Sequence, residues 1–397
     1  MQRTPRAELE RRTEILQRGL VEAGIDAALI VQNADLFYYA GTVQQGYLYV
    51  PADGQPAFFV RKNPQRAAAE SELPRVVAVK GPKDIPALLP QLGLPRPGRL
   101  GMELDVLPVR QYFRYQEVFA PAVIVDVWPI IQAQRAVKSP YELALIREVG
   151  RLSDFMVRVA RATLREGVSE IELAAAVEAA ARAAGHQGYV RMRAFNQEVY
   201  WGHLVSGPEA GVGSFMDSPT GGQGLSLAFP QGSSRRVIAR HEPVIFDLVA
   251  GMNGYHVDQT RTMALGPLAP PLEHAYRVAV EIQGQVAGML RPGVLAGEVY
   301  QRALDTAAER GLAEHFMGYG EDRAAFCGHG IGLELDELPV IVRGNTMPLQ
   351  AGMVVAMEPK FTFPGLGVVG VEDTFIVTEE GGEAVTTSDY EVEVEPA

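Results

Sequence analysis

Four carboxylates stand where the sequence otherwise reads as buried strand. They lie in two apolar, β-branched stretches, Pro243–Thr262 (PVIFDLVAGMNGYHVDQTRT) and Val354–Phe375 (VVAMEPKFTFPGLGVVGVEDTF), each folded back on itself at glycines. Asp247 and Asp258 are 11 residues apart around Gly251-Met252-Asn253-Gly254. A hairpin loop on Met252-Asn253 sets the two aspartates directly opposite each other, whereas a loop on Asn253-Gly254 shifts the pairing by one and needs a bulge to restore it. The first register is the expectation. Glu358 and Glu372 are 14 residues apart, and a three-residue loop Pro364-Gly365-Leu366 makes them face each other. Like charges opposed across a ladder destabilise it, and bound cations reverse that sign. The pattern reads as a metal site built on hairpins.

His329 joins the four carboxylates. Oxygen-rich ligation with one imidazole suits Mn²⁺, Fe²⁺, Co²⁺ or Zn²⁺ better than a structural zinc held by Cys and His. Two carboxylates able to bridge point to two divalent ions, typically about 3.5–4 Å apart, which generate hydroxide near neutral pH and hold an electrophilic carbonyl. The implied chemistry is hydrolysis.

The 397-residue length exceeds the roughly 250–300 residues of a single core, so two domains are expected. A hydrophobic content of 47% indicates a soluble globular chain, and a net charge of -12 argues against nucleic acid or an anionic membrane as partner. The one cysteine, Cys327, excludes an internal disulfide and fits the reducing cytoplasm. The N-terminus is charged and helical in pattern without an apolar signal core, and no run approaches the roughly 20 apolar residues of a membrane span.

Residues 7–23 predict an amphipathic helix, followed by short strands at Ala27–Val31, Tyr47–Val50, Ala57–Val60, Val76–Val79 and Val123–Val127, with helical patterns between them. This alternation predicts an N-terminal α/β domain with a mixed sheet over residues 1–134. Ser139-Pro140-Tyr141-Glu142 is a capping box with proline at the first helical position, and it opens a second domain over residues 135–397. That domain carries an internal repeat. Arg165-Glu-Gly-Val168 recurs as Arg291-Pro-Gly-Val294, Gly185 as Gly311, and Gly202-His203 as Gly328-His329, all at an offset of 126. Two related α+β halves with pseudo-twofold symmetry follow, their strands expected to form one curved sheet backed by helices. A Gly-, Ser- and Pro-rich loop at 206–234 is too long for an ordinary connection and reads as a lid or binding loop.

The stretches at 243–262, 326–339, 352–361 and 367–378 resemble the metal motifs of the pita-bread metallopeptidases, a family that includes methionine aminopeptidases, Xaa-Pro peptidases and creatinase. The Asp…Asp spacing, GHGIGLE around His329, GMVVAMEP around Glu358 and VEDTFIVT around Glu372 match in order. NADLFYYAGT at 33–42 and QRAVKSPYELALIR at 134–147 resemble a creatinase-type N-terminal domain and its connection. The resemblance covers nearly the whole chain and implies the Xaa-Pro peptidase and creatinase branch. It implies a pita-bread fold, Asp247 chelating one metal, His329 and Glu358 the other, and Asp258 and Glu372 bridging both. Glu358 is also implied as the proton acceptor, and a homodimer as the assembly.

The chain departs from the family pattern at three places. Ser214 and Asp336 stand where substrate-binding histidines are expected, and Gly370 where an arginine is. A creatinase-like hydrolase of a non-peptide amide or amidino compound, and a metal-binding homologue without peptidase activity, are therefore the alternatives to hydrolysis of small Xaa-Pro peptides. Histidines near the metals supply hydrogen bonds to the substrate. His203, the repeat mate of His329, is the candidate replacement and a candidate catalytic residue. Ser214 and Asp336 are candidate substrate-binding residues. Tyr200 and Trp201 read as packing, Cys327 as a small buried residue, and the GLGVVG run at 365–370 as hairpin rather than dinucleotide loop. His256, two before Asp258, shares its face on a regular strand.

Overall fold

The computed structural model describes residues 3–394, which divide into two compact units, one running to Arg135 and including Arg193–Asn196, the other comprising Ala136–Met192 and the chain from Gln197 onward. The first unit is built on a six-stranded mixed sheet. Its strand order is Val76–Ala78, Ala57–Val60, Gly46–Pro51, Ala27–Ile30, Arg99–Met102, Val123–Asp126. The strand Gly46–Pro51 runs antiparallel to both neighbours, and the remaining pairings are parallel. Leu29, Tyr49, Phe59, Leu100 and Ile124 form one face of the core. Arg99–Met102 escapes sequence reading because four residues with a central glycine carry no periodicity. NADLFYYA forms a helix, Asn33–Ala40, that buries Asp35 completely. Its carboxylate is neutralised by Arg135 at 2.8 Å and Arg193 at 2.9 Å.

In the second unit the repeat is explicit. Helices Glu170–Ala183 and Ala296–Glu309 have 14 residues each and start and end 126 residues apart. Each follows a longer helix, Pro140–Thr163 and Pro270–Met289. The Ser139 capping box is formed, with a second at Ser169. The strands make three sheets where one curved sheet is expected. Gly202–Ser206, Val244–Met252 and Tyr255–Met263 form an antiparallel three-stranded sheet. Five antiparallel strands run in the order Glu337–Val342, Phe326–Gly330, Val354–Met357, Asp373–Thr378, Gly381–Ala384. The hairpin Lys360–Phe363 with Gly367–Gly370 stands separately. Pro359 is the physical cause of that last break, since it has no N–H to give the ladder. An isolated bridge ties the sheets where Thr260 and Glu372 exchange both backbone hydrogen bonds, flanked by side-chain hydrogen bonds of Thr374 with Asp258 and of Thr262 with Gly370.

Among the described residues no helix is long and apolar enough to cross a membrane. The C-terminal segment is held by Asp154 on the helix Pro140–Thr163, which accepts the backbone N–H and hydroxyl of both Thr387 and Ser388. Burial pushes the Asp154 pKa up, but these hydrogen bonds outweigh it and hold the carboxyl below its ordinary value. A group depressed on folding stabilises the protein above its unfolded pKa, and that contribution is lost as pH falls through the folded value. Asp154→Ala is expected to cost about 3 kcal/mol at neutral pH. Its destabilisation should shrink as pH is lowered below about 4, which thermal melts of both proteins across that range would check.

Candidate active site

The first hairpin turns on Asn253-Gly254, with φ of 54° and 88°, and its ladder pairs Met252 with Tyr255. This corrects the expected Met252-Asn253 loop. Asn-Gly accepts positive φ at both central positions of a tight turn whose twist suits the strands, and that preference sets the register. Asp247 therefore faces Thr260, and Asp258 faces Val249. No bulge is needed. The two aspartates are diagonal neighbours two positions apart, on one face of the sheet.

In the second stretch the loop is Pro364-Gly365-Leu366, and both ladders keep one register. Met357 pairs with Asp373 and Lys360 with Gly370, so Glu358 and Glu372 stand opposite each other in the gap between them. Thr260 Oγ1 donates to Glu372 Oε2 at 2.8 Å, and the buried Arg261 guanidinium donates to the Glu372 carbonyl oxygen at 2.8 Å. His329 comes from Phe326–Gly330, next to the strand bearing Glu358. Its Nδ1 meets the Gly330 carbonyl at 3.1 Å, which aims Nε2 at the carboxylates, 3.9 Å from both Glu358 Oε1 and Glu372 Oε1. Asp336 Oδ1 lies 3.5 Å from the same Nδ1.

One ligand atom from each of Asp258, His329 and Glu372 lies within 4.8 Å of the others. Glu372 Oε1 is buried without a hydrogen-bond partner. A carboxylate oxygen left bare beside an imidazole nitrogen and a second carboxylate suits one divalent ion. Electrostatics agree. Burial, then the Asp247 charge, push Asp258 up to about 7. Burial and the Asp258 charge hold Glu372 well above the usual carboxylate range. Lys360 pulls both down, and His329 adds to that at Asp258, but burial and the neighbouring carboxylates outweigh them.

Asp247 and Glu358 are served differently. The Lys360 ammonium donates to Glu358 Oε2 at 2.8 Å and Glu372 Oε2 at 2.9 Å, and lies 3.2 Å from Asp247 Oδ2. Burial lowers the Lys360 pKa, but these carboxylates outweigh it and hold it well above the ordinary lysine value. Burial likewise works to raise Asp247, and Lys360 and His203 pull it well below the carboxylate range. Lys360 was not singled out in the sequence. The signal was one of only five lysines, two residues from Glu358 on an expected strand and so on its face.

His203 pairs with Asp247 across the sheet, its Nδ1 3.6 Å from Oδ2. Its Nε2 meets the side-chain nitrogen of Gln231, whose oxygen accepts the Ser214 hydroxyl at 2.8 Å. With its oxygen so engaged, the Gln231 amide donates to Nε2, which leaves the imidazole proton on Nδ1 facing Asp247. Ser214 is thus one hydrogen bond removed from the cavity, not on its wall. Gln231 is the lining residue the sequence did not reveal, because an irregular loop has no period to read. The cavity holds about 80 Å³ and is lined by His203, Gln231, Asp336, the ligand cluster and Met216–Pro219 of the long loop. Both ends of that loop hang on buried Glu170, which accepts from Ser206 and Ser234 through backbone and hydroxyl.

The other histidines do not join the cluster. His256 bonds the Gly332 carbonyl and the Arg191 N–H, and burial lowers its pKa to about 4. His186 stacks on buried Trp201 with ring centres 3.7 Å apart. Cys327 is buried, which pushes its thiol pKa well up and makes it unreactive.

A carboxylate-and-imidazole cluster at the junction of a duplicated α+β scaffold defines a metal-dependent hydrolase. Residues 144–379 match metallopeptidase family M24 and residues 12–137 the creatinase/prolidase N-terminal domain. The chain belongs to metallopeptidase family M24. It is 28% identical to a Xaa-Pro dipeptidase of Pyrococcus furiosus over 97% of this chain and 100% of that one. The solved Xaa-Pro dipeptidase from Bacillus anthracis superposes with a TM-score of 0.82 at 26% identity, covering 97% of this chain and 99% of that chain. The prolidase from Pyrococcus horikoshii OT3 shares the fold at a TM-score of 0.81 and 24% identity, covering 96% and 99%. These matches carry the creatinase-type and pita-bread architecture across both units.

Proposed function

We propose that this protein hydrolyses the Xaa-Pro bond of small peptides. The observation that carries the reading is the Asp258–His329–Glu372 cluster, with its bare Glu372 oxygen inside a lined cavity. Relatives described as Xaa-Pro dipeptidases, matched along nearly their whole length, support the bond type. A divalent ion held by these three residues would supply Lewis acidity toward the scissile carbonyl and make water more acidic. The donor set suits Mn²⁺, Co²⁺, Fe²⁺ or Zn²⁺. The proposal includes a cytoplasmic homodimer, supported by the single buried thiol and by the creatinase-type N-terminal domain.

The chain's own residues divide the remaining work. Glu358 keeps Oε2 on Lys360 and leaves Oε1 free of that ammonium, so it takes the proton of the attacking water and returns it to the leaving nitrogen. His203, with its Nδ1 proton on Asp247 and its Nε2 accepting from Gln231, holds that amide in place, and the second amide hydrogen of Gln231 steadies charge developing on the carbonyl oxygen. Asp336, with its side chain 52% exposed at the cavity, pairs with the substrate's cationic amino group. A cavity of about 80 Å³ is smaller than the roughly 300 Å³ of an ordinary ligand site, so the 206–234 loop moves to admit a dipeptide and excludes water on return.

His203→Ala is expected to lower kcat about 100-fold without changing bound metal, as steady-state kinetics paired with metal analysis would show. An unaltered kcat would remove His203 from the reaction. The function itself is tested on a panel of Xaa-Pro dipeptides and tripeptides, matched Xaa-Ala peptides and non-peptide amides. Efficient cleavage confined to Xaa-Pro supports the proposal. Turnover of non-peptide amidino or amide compounds with peptides untouched would overturn it in favour of creatinase-like chemistry.

A further inference from the structure

We infer that Lys360 takes the place of a second metal ion, so that the site holds one divalent cation and one built-in ammonium. The inference rests on the metallohydrolase reading above and replaces the two-ion expectation with a hybrid centre. Four carboxylates converge, and the cations they face differ. Glu372 spans both halves: Oε2 belongs to Lys360 and Thr260, while Oε1 is bare on the side of His329. Asp258 and His329 complete the bare half. Asp247, Glu358 and Glu372 Oε2 surround the ammonium.

The ammonium is not a surface group that has folded inward. Lys360 is 1% exposed, on the strand Lys360–Phe363, two residues beyond Glu358. Its backbone is fixed by the hairpin ladder to Gly370 and by the hydrogen bond from Met317 N–H to its carbonyl. Its stem runs across Gly370, where an added Cβ would lie 2.6 Å from Lys360 Cγ. The glycine opposite is what leaves room for the lysine. A divalent ion bound to Asp247 and Glu358 would compete for the same carboxylate oxygens as the ammonium and would be repelled by it at contact distance. The three donors on the other side face no such rival.

The consequence for the reaction is a division of cationic labour. The ammonium keeps Asp247 and one oxygen of Glu358 in place, and it offers a fixed positive charge where another divalent ion would have been. Lys360 is a positioning residue for Glu358 and Asp247.

The test is metal stoichiometry, read without substrate. Wild-type protein is stripped, titrated with Mn²⁺ and examined by mass-spectrometric metal analysis and electron paramagnetic resonance. One tightly bound ion per chain with an uncoupled six-line Mn²⁺ spectrum is expected. Two ions per chain with an exchange-coupled spectrum, Lys360 being intact, would overturn the inference, and so would no bound ion. Lys360→Ala is expected to raise the stoichiometry from one to two. A variant that folds and stays at one ion would show that the ammonium is not what excludes the second. Because wild type alone decides the count, a variant that fails to fold leaves the inference exposed to refutation. Peptide turnover does not enter this readout, so failure of the Xaa-Pro assignment and failure of the hybrid centre are separate results.

Discussion

Glu358→Gln is expected to lower kcat for Xaa-Pro hydrolysis by about 1,000-fold, the middle of the range for a positioned general base. The amide is nearly isosteric and its oxygen still accepts from Lys360, so the cavity keeps its shape while the group loses its ability to take a proton. Bound metal should be unchanged, because the cluster within mutual ligand distance is Asp258, His329 and Glu372, without Glu358. The paired measurement is discriminating. Retained turnover would deny Glu358 its proton-transfer role. Loss of the ion together with turnover would make Glu358 a ligand, as the family resemblance implies. A fall in kcat with the ion in place is the outcome this geometry calls for.

His329→Ala should have an effect of similar size by a different route. The imidazole is the sole nitrogen donor of the cluster, and its orientation is set by the Gly330 carbonyl. Disturbing a supporting group alone weakens metal binding about 10–100-fold, so deleting the ligand itself should exceed that range and abolish turnover at ordinary metal concentrations. Stability supplies an independent readout. A ligand at about 100 times its dissociation constant stabilises the folded state by about 2.7 kcal/mol. Wild type should therefore melt higher when Mn²⁺ is added, and the variant should not. A variant whose melting rises as wild type's does would place the metal elsewhere.

Much of this site was legible in the sequence because carboxylates inside β-branched runs are anomalous. Asp247, Asp258, Glu358 and Glu372 were marked by that anomaly, and the hairpin of the last two was set by the length of the loop between them. His203 was reached through the 126-residue repeat, whose helices coincide end for end. The first hairpin register was misread because the choice between adjacent two-residue loops turns on local φ preferences, and Asn253-Gly254 satisfies them where Met252-Asn253 does not. Lys360 escaped notice because a lysine near glutamates is ordinarily a solvated partner. Only the three-dimensional convergence of Asp247 on Glu358 and Glu372 makes it a buried counter-ion. Gln231 and Ser214 lie in a loop whose path is set by tertiary contacts, including the double clamp on Glu170, and no sequence period encodes that. The expected single sheet is interrupted at Pro359, whose missing N–H leaves a gap in the ladder that apolar patterning alone does not reveal.

The most direct test of metal-dependent Xaa-Pro hydrolysis at this site is dipeptide turnover before chelation, after chelation and after restoring a divalent ion. Turnover that disappears on chelation and returns with Mn²⁺ or Co²⁺, in wild type but not in His329→Ala, is the predicted result. Undiminished turnover in the fully chelated protein would contradict the account, as would a metal-loaded protein that cleaves no Xaa-Pro peptide.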